Sequence, residues 1–127
     1  MSESIIAERA YIFALKIVKA YKFLVNEKKE FVLSKQLLRS GTGIGANVNE
    51  AISSQSKRDF IYKLGIALKE ARETKYWLRL LKDSDYFDLI KFAKLNNDCE
   101  EIIKILSSII LTTKARYFKN PGATHNS

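Results

Sequence analysis

Arg58, Tyr62, Gly65, Lys69, Arg72, Tyr76 and Arg79 carry the clearest chemistry in this chain. Their steps alternate between 4 and 3, so on a helix they share one face. Guanidinium and ammonium groups bind phosphate, and tyrosine rings stack on unpaired bases. Interleaved along one stripe, Arg58, Tyr62, Lys69, Arg72, Tyr76 and Arg79 are candidate RNA- or DNA-binding residues, and Gly65 lets a backbone come close. Arg9, Lys16 and Lys19 on an earlier helix are expected to add a flanking basic row. A competing reading makes the stripe ordinary surface, with Lys69–Glu73 and Arg79–Asp83 as supporting i, i+4 pairs, or a contact between subunits.

A second cluster is the glycine run Gly41-Thr-Gly43-Ile-Gly45-Ala46. It matches the degenerate dinucleotide fingerprint G-x-G-x-x-A, but that fingerprint needs a strand before it and a βαβ unit around it. The preceding Ser34 to Ser40 reads as helix, so a packing role fits better. Each interior glycine costs up to about 1 kcal/mol of helix propensity relative to alanine. A close helix crossing, a kink or a subunit contact must offset that cost. Asn47 and Glu50 follow at i, i+3 spacing, as a polar site or as a hydrogen-bonded pair that sets helix register.

Catalysis finds no support in the remaining residues. The single Cys99 lies on an apolar row, where a thiol behaves as a small hydrophobe. The single His125 lies in a polar tail. No Ser–His, Cys–His or paired-carboxylate arrangement stands out, and one Cys with one His does not make a zinc site. The expectation is a protein that is not an enzyme, with no metal and no cofactor.

These residues must be positioned by helices. The only proline is Pro121, so nothing before it has to break a helix through proline. Interruptions near Asn26–Glu30, Ser53–Gln55 and Ser84–Asp88 divide the chain into four segments. Helices are expected at about 4–26, 31–53, 56–83 and 87–116. Together they form one domain over 1–118, with a flexible tail over 119–127. The first segment carries a heptad row at Ile6, Ala10, Phe13, Ile17, Ala20 and Leu24. The second has Leu37, Gly41, Ile44, Val48 and Ala51. The third has Phe60, Leu64, Ala67, Ala71, Thr74, Leu78 and Leu81. The fourth has Phe92, Asn96, Cys99, Ile103, Leu106, Ile110 and Thr113. Four apolar rows joined by short loops predict an all-α fold, an antiparallel up-and-down four-helix bundle. Ser56 with Asp59 resembles a capping box, and Asp85 or Asp88 can cap the last helix. Apolar residues beyond one stripe, such as Trp77, Leu80, Ile105 and Ile109, point to self-association.

Composition narrows the partners. The chain has 127 residues, 46% hydrophobic, and a formal charge of +8. That is one domain with a basic excess that favours phosphate backbones or anionic surfaces. No apolar run reaches the length of a membrane span, and Glu3 and Glu8 near the start are unlike a signal peptide. A cytoplasmic location with no membrane contact is expected.

The stretch from Gln36 through Arg39-Ser-Gly41-Thr-Gly43-Ile-Gly45-Ala-Asn47-Val-Asn-Glu50-Ala51 resembles a known pattern. So does Lys57-Arg-Asp-Phe60 running on through Leu64 to Trp77-Leu78. Both look like the family named for the 23S ribosomal-RNA intervening-sequence proteins, over about residues 5–117. The family pattern usually has Ser at position 43 and Ala at 49, where this chain has Gly and Asn. The family is similar to the accessory protein of diversity-generating retroelements. The resemblance implies a four-helix bundle in a ring-like homo-oligomer, a pentamer, with Arg39, Gly41, Gly43, Gly45, Asn47 and Glu50 as its motif. It also implies two classes of partner, nucleic acid and a protein such as a reverse transcriptase. Five copies of a +8 chain carry +40, a field that attracts polyanions and is screened by salt. The expected function is non-catalytic binding of RNA or DNA through phosphate contacts. The alternative is an oligomeric adaptor that docks a protein partner.

Overall fold

The computed structural model describes residues 2–118. The tail over 119–127, with His125, lies outside the described residues. Four α-helices account for the fold: α1 (Ser2–Asn26), α2 (Leu33–Ile52), α3 (Lys57–Asp83) and α4 (Leu89–Tyr117). α1 packs on α2 and α4, and α3 packs on α2 and α4. Among the described residues, the backbones of α1 and α3 are not direct neighbours, nor are those of α2 and α4, so each pair lies across a diagonal.

The heptad rows of α1, α2 and α3 are buried residue for residue. Ile6, Phe13, Ile17 and Leu24 meet Leu37, Ile44 and Val48, with Leu64, Leu78 and Leu81 completing the core. Fully burying one such side chain contributes about 1.5–3 kcal/mol. In α4 the buried row is Leu95, Cys99, Ile102 and Leu106. Phe92, Ile103 and Ile110, expected on the seam, are only half-buried. The expected and observed rows of α4 overlap, sharing Cys99 and Leu106, and adjacent isoleucines at 102 and 103 leave either one able to face inward. Packing against both α1 and α3 turns the row between those neighbours inward.

Helix ends follow local chemistry. Ser56 Oγ accepts from the Asp59 N–H at 3.0 Å, and Asp88 Oδ1 accepts from the Lys91 N–H at 2.7 Å. Each satisfies an amide that the helix leaves unpaired. The start of α2 uses a device that the spacing did not suggest. The buried Glu30 carboxylate accepts from the N–H groups of Val32, Leu33 and Ser34, and the Ser34 hydroxyl donates back to the Glu30 carbonyl. A carboxylate suits this place because the helix N-terminus carries partial positive charge.

The glycine run is a spacer between helices. A Cβ on Gly41 would lie 2.8 Å from the Ile17 side chain on α1. A Cβ on Gly45 would lie 3.6 Å from the Ala10 backbone and side chain, and one on Gly43 would lie 3.4 Å from Glu70 on α3. The run therefore brings α2 close to α1, and Gly43 leaves room for the Glu70 side chain. Close packing offsets the propensity cost.

Candidate nucleic-acid interface

The outer face of α3 presents every residue of the expected stripe. Arg58, Lys69, Arg72 and Arg79 are exposed, as is Gly65, whose missing side chain would meet nothing within 4 Å. Tyr62 is 63% exposed and Tyr76 60%. From Arg58 to Arg79 the face runs about 32 Å at 1.5 Å per residue. Two solvent-facing tyrosines are the informative part, because nothing among the described residues covers them. The Tyr76 ring meets Trp77 edge-on, with centroids 5.0 Å apart.

Cations on this face are largely free of carboxylates. Among the described residues, Lys69 and Arg72 have no acidic partner within 4.0 Å. The expected Lys69–Glu73 pair does not form. Glu73 turns inward instead, accepting from Arg39 and, at 3.2 Å, from the Trp77 indole N–H. The Arg79–Asp83 pair does form, at 3.8 Å between exposed groups. Such a pair contributes little and leaves the guanidinium available. The Arg58 guanidinium lies 5.5 Å from the centre of the Phe118 ring.

The stripe extends at one end beyond what periodicity suggested. Arg58, Ile61, Lys114 and Phe118 line a hollow of about 270 Å³, and Lys57 Nζ stands 5.0 Å from the Tyr117 ring centre. The signal was present as Lys114-Ala-Arg-Tyr-Phe118, two cations with two aromatics closing α4. Nothing in sequence placed that cluster beside Arg58.

Arg9, Lys16 and Lys19 do not flank the stripe. They sit on α1, diagonally opposite α3. Arg9 pairs with Glu101 and Lys16 with Asp98 (2.7 Å), both on α4. Lys19 lines a second hollow with Lys91 and Lys94. The shared heptad spacing of the two rows concealed the fact that their helices are not direct neighbours.

The glycine-block motif is structural here. Arg39 reaches from α2 to both Glu70 and Glu73 on α3. The Ser40 and Thr74 hydroxyls, both buried, lie 2.9 Å apart between the same helices. Asn47 Nδ2 donates to the Gly43 carbonyl at 2.8 Å, a bond within α2. Glu50 takes Lys63 of α3 at 2.9 Å, and this bond holds the Lys63 ammonium above its ordinary pKa. Asn47 and Glu50 therefore have separate partners and form no shared site. Cys99 Sγ donates to the Ala71 carbonyl at 3.2 Å, and burial pushes its thiol up to about 12. A thiol so raised is inert as a nucleophile near neutral pH. Among the described residues no helix is long and apolar enough to cross a membrane, and no three His, Cys, Asp or Glu cluster as metal ligands.

A four-helix protein with a glycine-spaced second helix and a basic, tyrosine-bearing third helix defines the class. The chain belongs to the 23S rRNA-intervening sequence protein family, whose model matches residues 2–108. It is similar to the crystal structure of a protein of unknown function from the S23 ribosomal protein family of Bacteroides thetaiotaomicron VPI-5482. The two share 55% identity, the match covers 87% of this chain and 98% of that one, and the TM-score is 0.86. Among curated proteins, none matches this chain.

Proposed function

We propose that this protein binds RNA or DNA without catalysing a reaction, through phosphate contacts along the outer face of α3. The observation that carries this reading is the exposed, largely unpaired row Arg58, Lys69, Arg72 and Arg79, interleaved with exposed Tyr62 and Tyr76. Arginine and lysine supply phosphate contacts without base readout, so little sequence specificity is expected. The tyrosines give unpaired bases a stacking surface. The names of the family and of its solved relative both point toward the ribosome, which makes a ribosomal RNA fragment the first probe.

The same reading includes an antiparallel up-and-down bundle, supported by short loops and by the pattern of neighbouring and diagonal helices. It also includes a ring-like homo-oligomer, a pentamer by family resemblance, and a cytoplasmic location. The test is fluorescence-anisotropy titration of structured RNA and single-stranded DNA across a salt series. Saturable binding near physiological salt is expected, with a log–log slope of about 0.7–0.9 per neutralised phosphate. Binding seen only at low salt would overturn the reading and leave a protein-docking adaptor in its place.

A further inference from the structure

Away from α3, the seam between α1 and α4 opens into a hollow of about 490 Å³. Lys19, Lys91 and Lys94 rim it, and Ala20, Phe23 and Leu95 form its floor. On the other side of Lys19, a second hollow of about 400 Å³ lies among Leu15, Val18 and Lys22. Leu15 is 54% exposed. Among the described residues no carboxylate lines either hollow. Lys19, Lys22, Lys91 and Lys94 have no acidic partner within 4.0 Å among the described residues. The two acids of α4 that are close by in sequence are committed elsewhere, Asp88 to the Lys91 N–H and Asp98 to Lys16. An apolar patch rimmed by unpaired charge is the mark of a contact surface.

We propose that this lysine-rimmed patch docks an acidic peptide segment of a partner protein, with aliphatic side chains of that segment seated on the floor. The patch is separate from the α3 face and does not depend on the nucleic-acid reading. Lysines that face no carboxylate call for an anionic partner. The floor decides which kind. Aliphatic side chains gain by leaving water for an apolar surface, and a phosphate backbone has none to place there. Base stacking needs an open ring, and Phe23 is the one ring in either lining. Its centre already has the Lys91 ammonium at 3.3 Å and the Lys28 ammonium at 5.9 Å, and it stacks on Phe87 with centroids 6.4 Å apart. No arginine lines either hollow, so the guanidinium fork that grips a phosphate is missing. The α3 face has the opposite make-up, with Arg58, Arg72 and Arg79 beside two open tyrosines. On α1, Lys16, Lys19, Ala20 and Phe23 fall at i, i+3, i+4 and i+7. On α4, Lys91, Lys94 and Leu95 fall at i, i+3 and i+4. Each helix therefore brings lysines and apolar side chains to the same seam. A segment lying along it meets cations on both sides and the apolar floor beneath.

The experiment is fluorescence anisotropy near physiological salt, with a short labelled peptide that carries two leucines among glutamates. Two control peptides replace its glutamates by lysine or its leucines by serine. Wild type is expected to bind the acidic leucine peptide saturably and neither control. Lys19→Glu with Lys94→Glu, both at exposed positions, is expected to weaken that binding by about tenfold or more, because attractive contacts become repulsive. Lys19→Ala with Lys94→Ala, which adds no new charge, is expected to fall between the two. Leu15→Ser is expected to weaken binding by a smaller factor. The chain with Arg58, Lys69, Arg72 and Arg79→Ala is expected to bind the peptide as wild type does, whatever becomes of its RNA affinity. Failure to saturate by about 1 mM peptide overturns the proposal. Equal binding of the serine control also overturns it, since the floor would then contribute nothing. A Lys19→Glu, Lys94→Glu chain that keeps the peptide and loses single-stranded DNA makes the patch a nucleic-acid surface. One that keeps the peptide and changes its mass in light scattering makes the patch a contact with a second copy. Either result overturns the peptide dock.

Discussion

The basic row of α3 and the basic row of α1 look alike in sequence and differ in the folded protein. Both place cations at heptad steps. On α3, Lys69 and Arg72 have no acidic partner among the described residues, and tyrosines stand between the cations. On α1, Arg9 and Lys16 are tied to Glu101 and Asp98 of α4. Each of these exposed pairs is worth only about 0.2–1 kcal/mol, so it draws the α1 cations toward α4 without locking them there. The same spacing therefore leaves a basic face with few carboxylate partners on one helix and makes interhelical links on the other. What separates them is the identity of the neighbouring helix.

The largest effect should come from removing the α3 cations together. Arg58, Lys69, Arg72 and Arg79→Ala in one chain should lower the salt slope of RNA binding by about 3, at 0.7–0.9 per phosphate contact. An unchanged slope, measured by anisotropy, would erase the distinction between the two rows. Next in size is the pair Tyr62→Ala and Tyr76→Ala. Each should weaken single-stranded binding by about 1–3 kcal/mol, while duplex binding holds. Equal losses on both probes would make the tyrosines mere packing.

Gly41→Ala acts on the link that holds α1 in place. Its Cβ would lie 2.8 Å from Ile17. Overpacking of this kind costs about 1–3 kcal/mol, partly offset by alanine's better helix propensity of up to about 1 kcal/mol. Urea melts should show a net loss, with RNA affinity of the folded protein unchanged. Arg9→Ala with Lys16→Ala should cost less still, about 0.2–1 kcal/mol per exposed pair. It should leave RNA affinity within about twofold, a shift worth under half a kcal/mol. A large affinity loss there would return α1 to the nucleic-acid face.

The smallest effect concerns pH. The hydrogen bond from Lys75 holds the Glu100 carboxyl below its ordinary value of 4.5. A carboxylate with a depressed folded pKa adds stability above its unfolded pKa, and loses it as pH falls through the folded one. Acid melts of wild type and Glu100→Gln should therefore differ slightly at neutral pH and converge well below pH 4.5.

Much of this was legible in the chain. The buried rows of α1, α2 and α3 follow heptad spacing because in each helix one row of alternating 3 and 4 steps is apolar or small throughout. The Ser56 and Asp88 caps follow from residue type at the helix boundary. The exposure of the α3 stripe follows from its position opposite the buried row. Three features were not legible. Glu30 caps α2 from outside the helix, through a loop conformation that no short motif announced. Glu73 leaves Lys69 for Arg39 and Trp77, because Arg39 of the neighbouring α2 and the Trp77 indole one turn along α3 hold its carboxylate together. The inward row of α4 was a choice between two overlapping apolar stripes that share Cys99 and Leu106.

Sequence alone determined four amphipathic helices, their approximate ends, a glycine cost that some packing must offset and a basic face with tyrosines on α3. Periodicity and side-chain type are local properties, and they act within a few residues. Tertiary structure alone decided that α1 lies diagonal to α3, which cations meet carboxylates, and which stripe of α4 turns inward. Those outcomes depend on which helices become neighbours, and that is settled only when all four bury their apolar rows against one another.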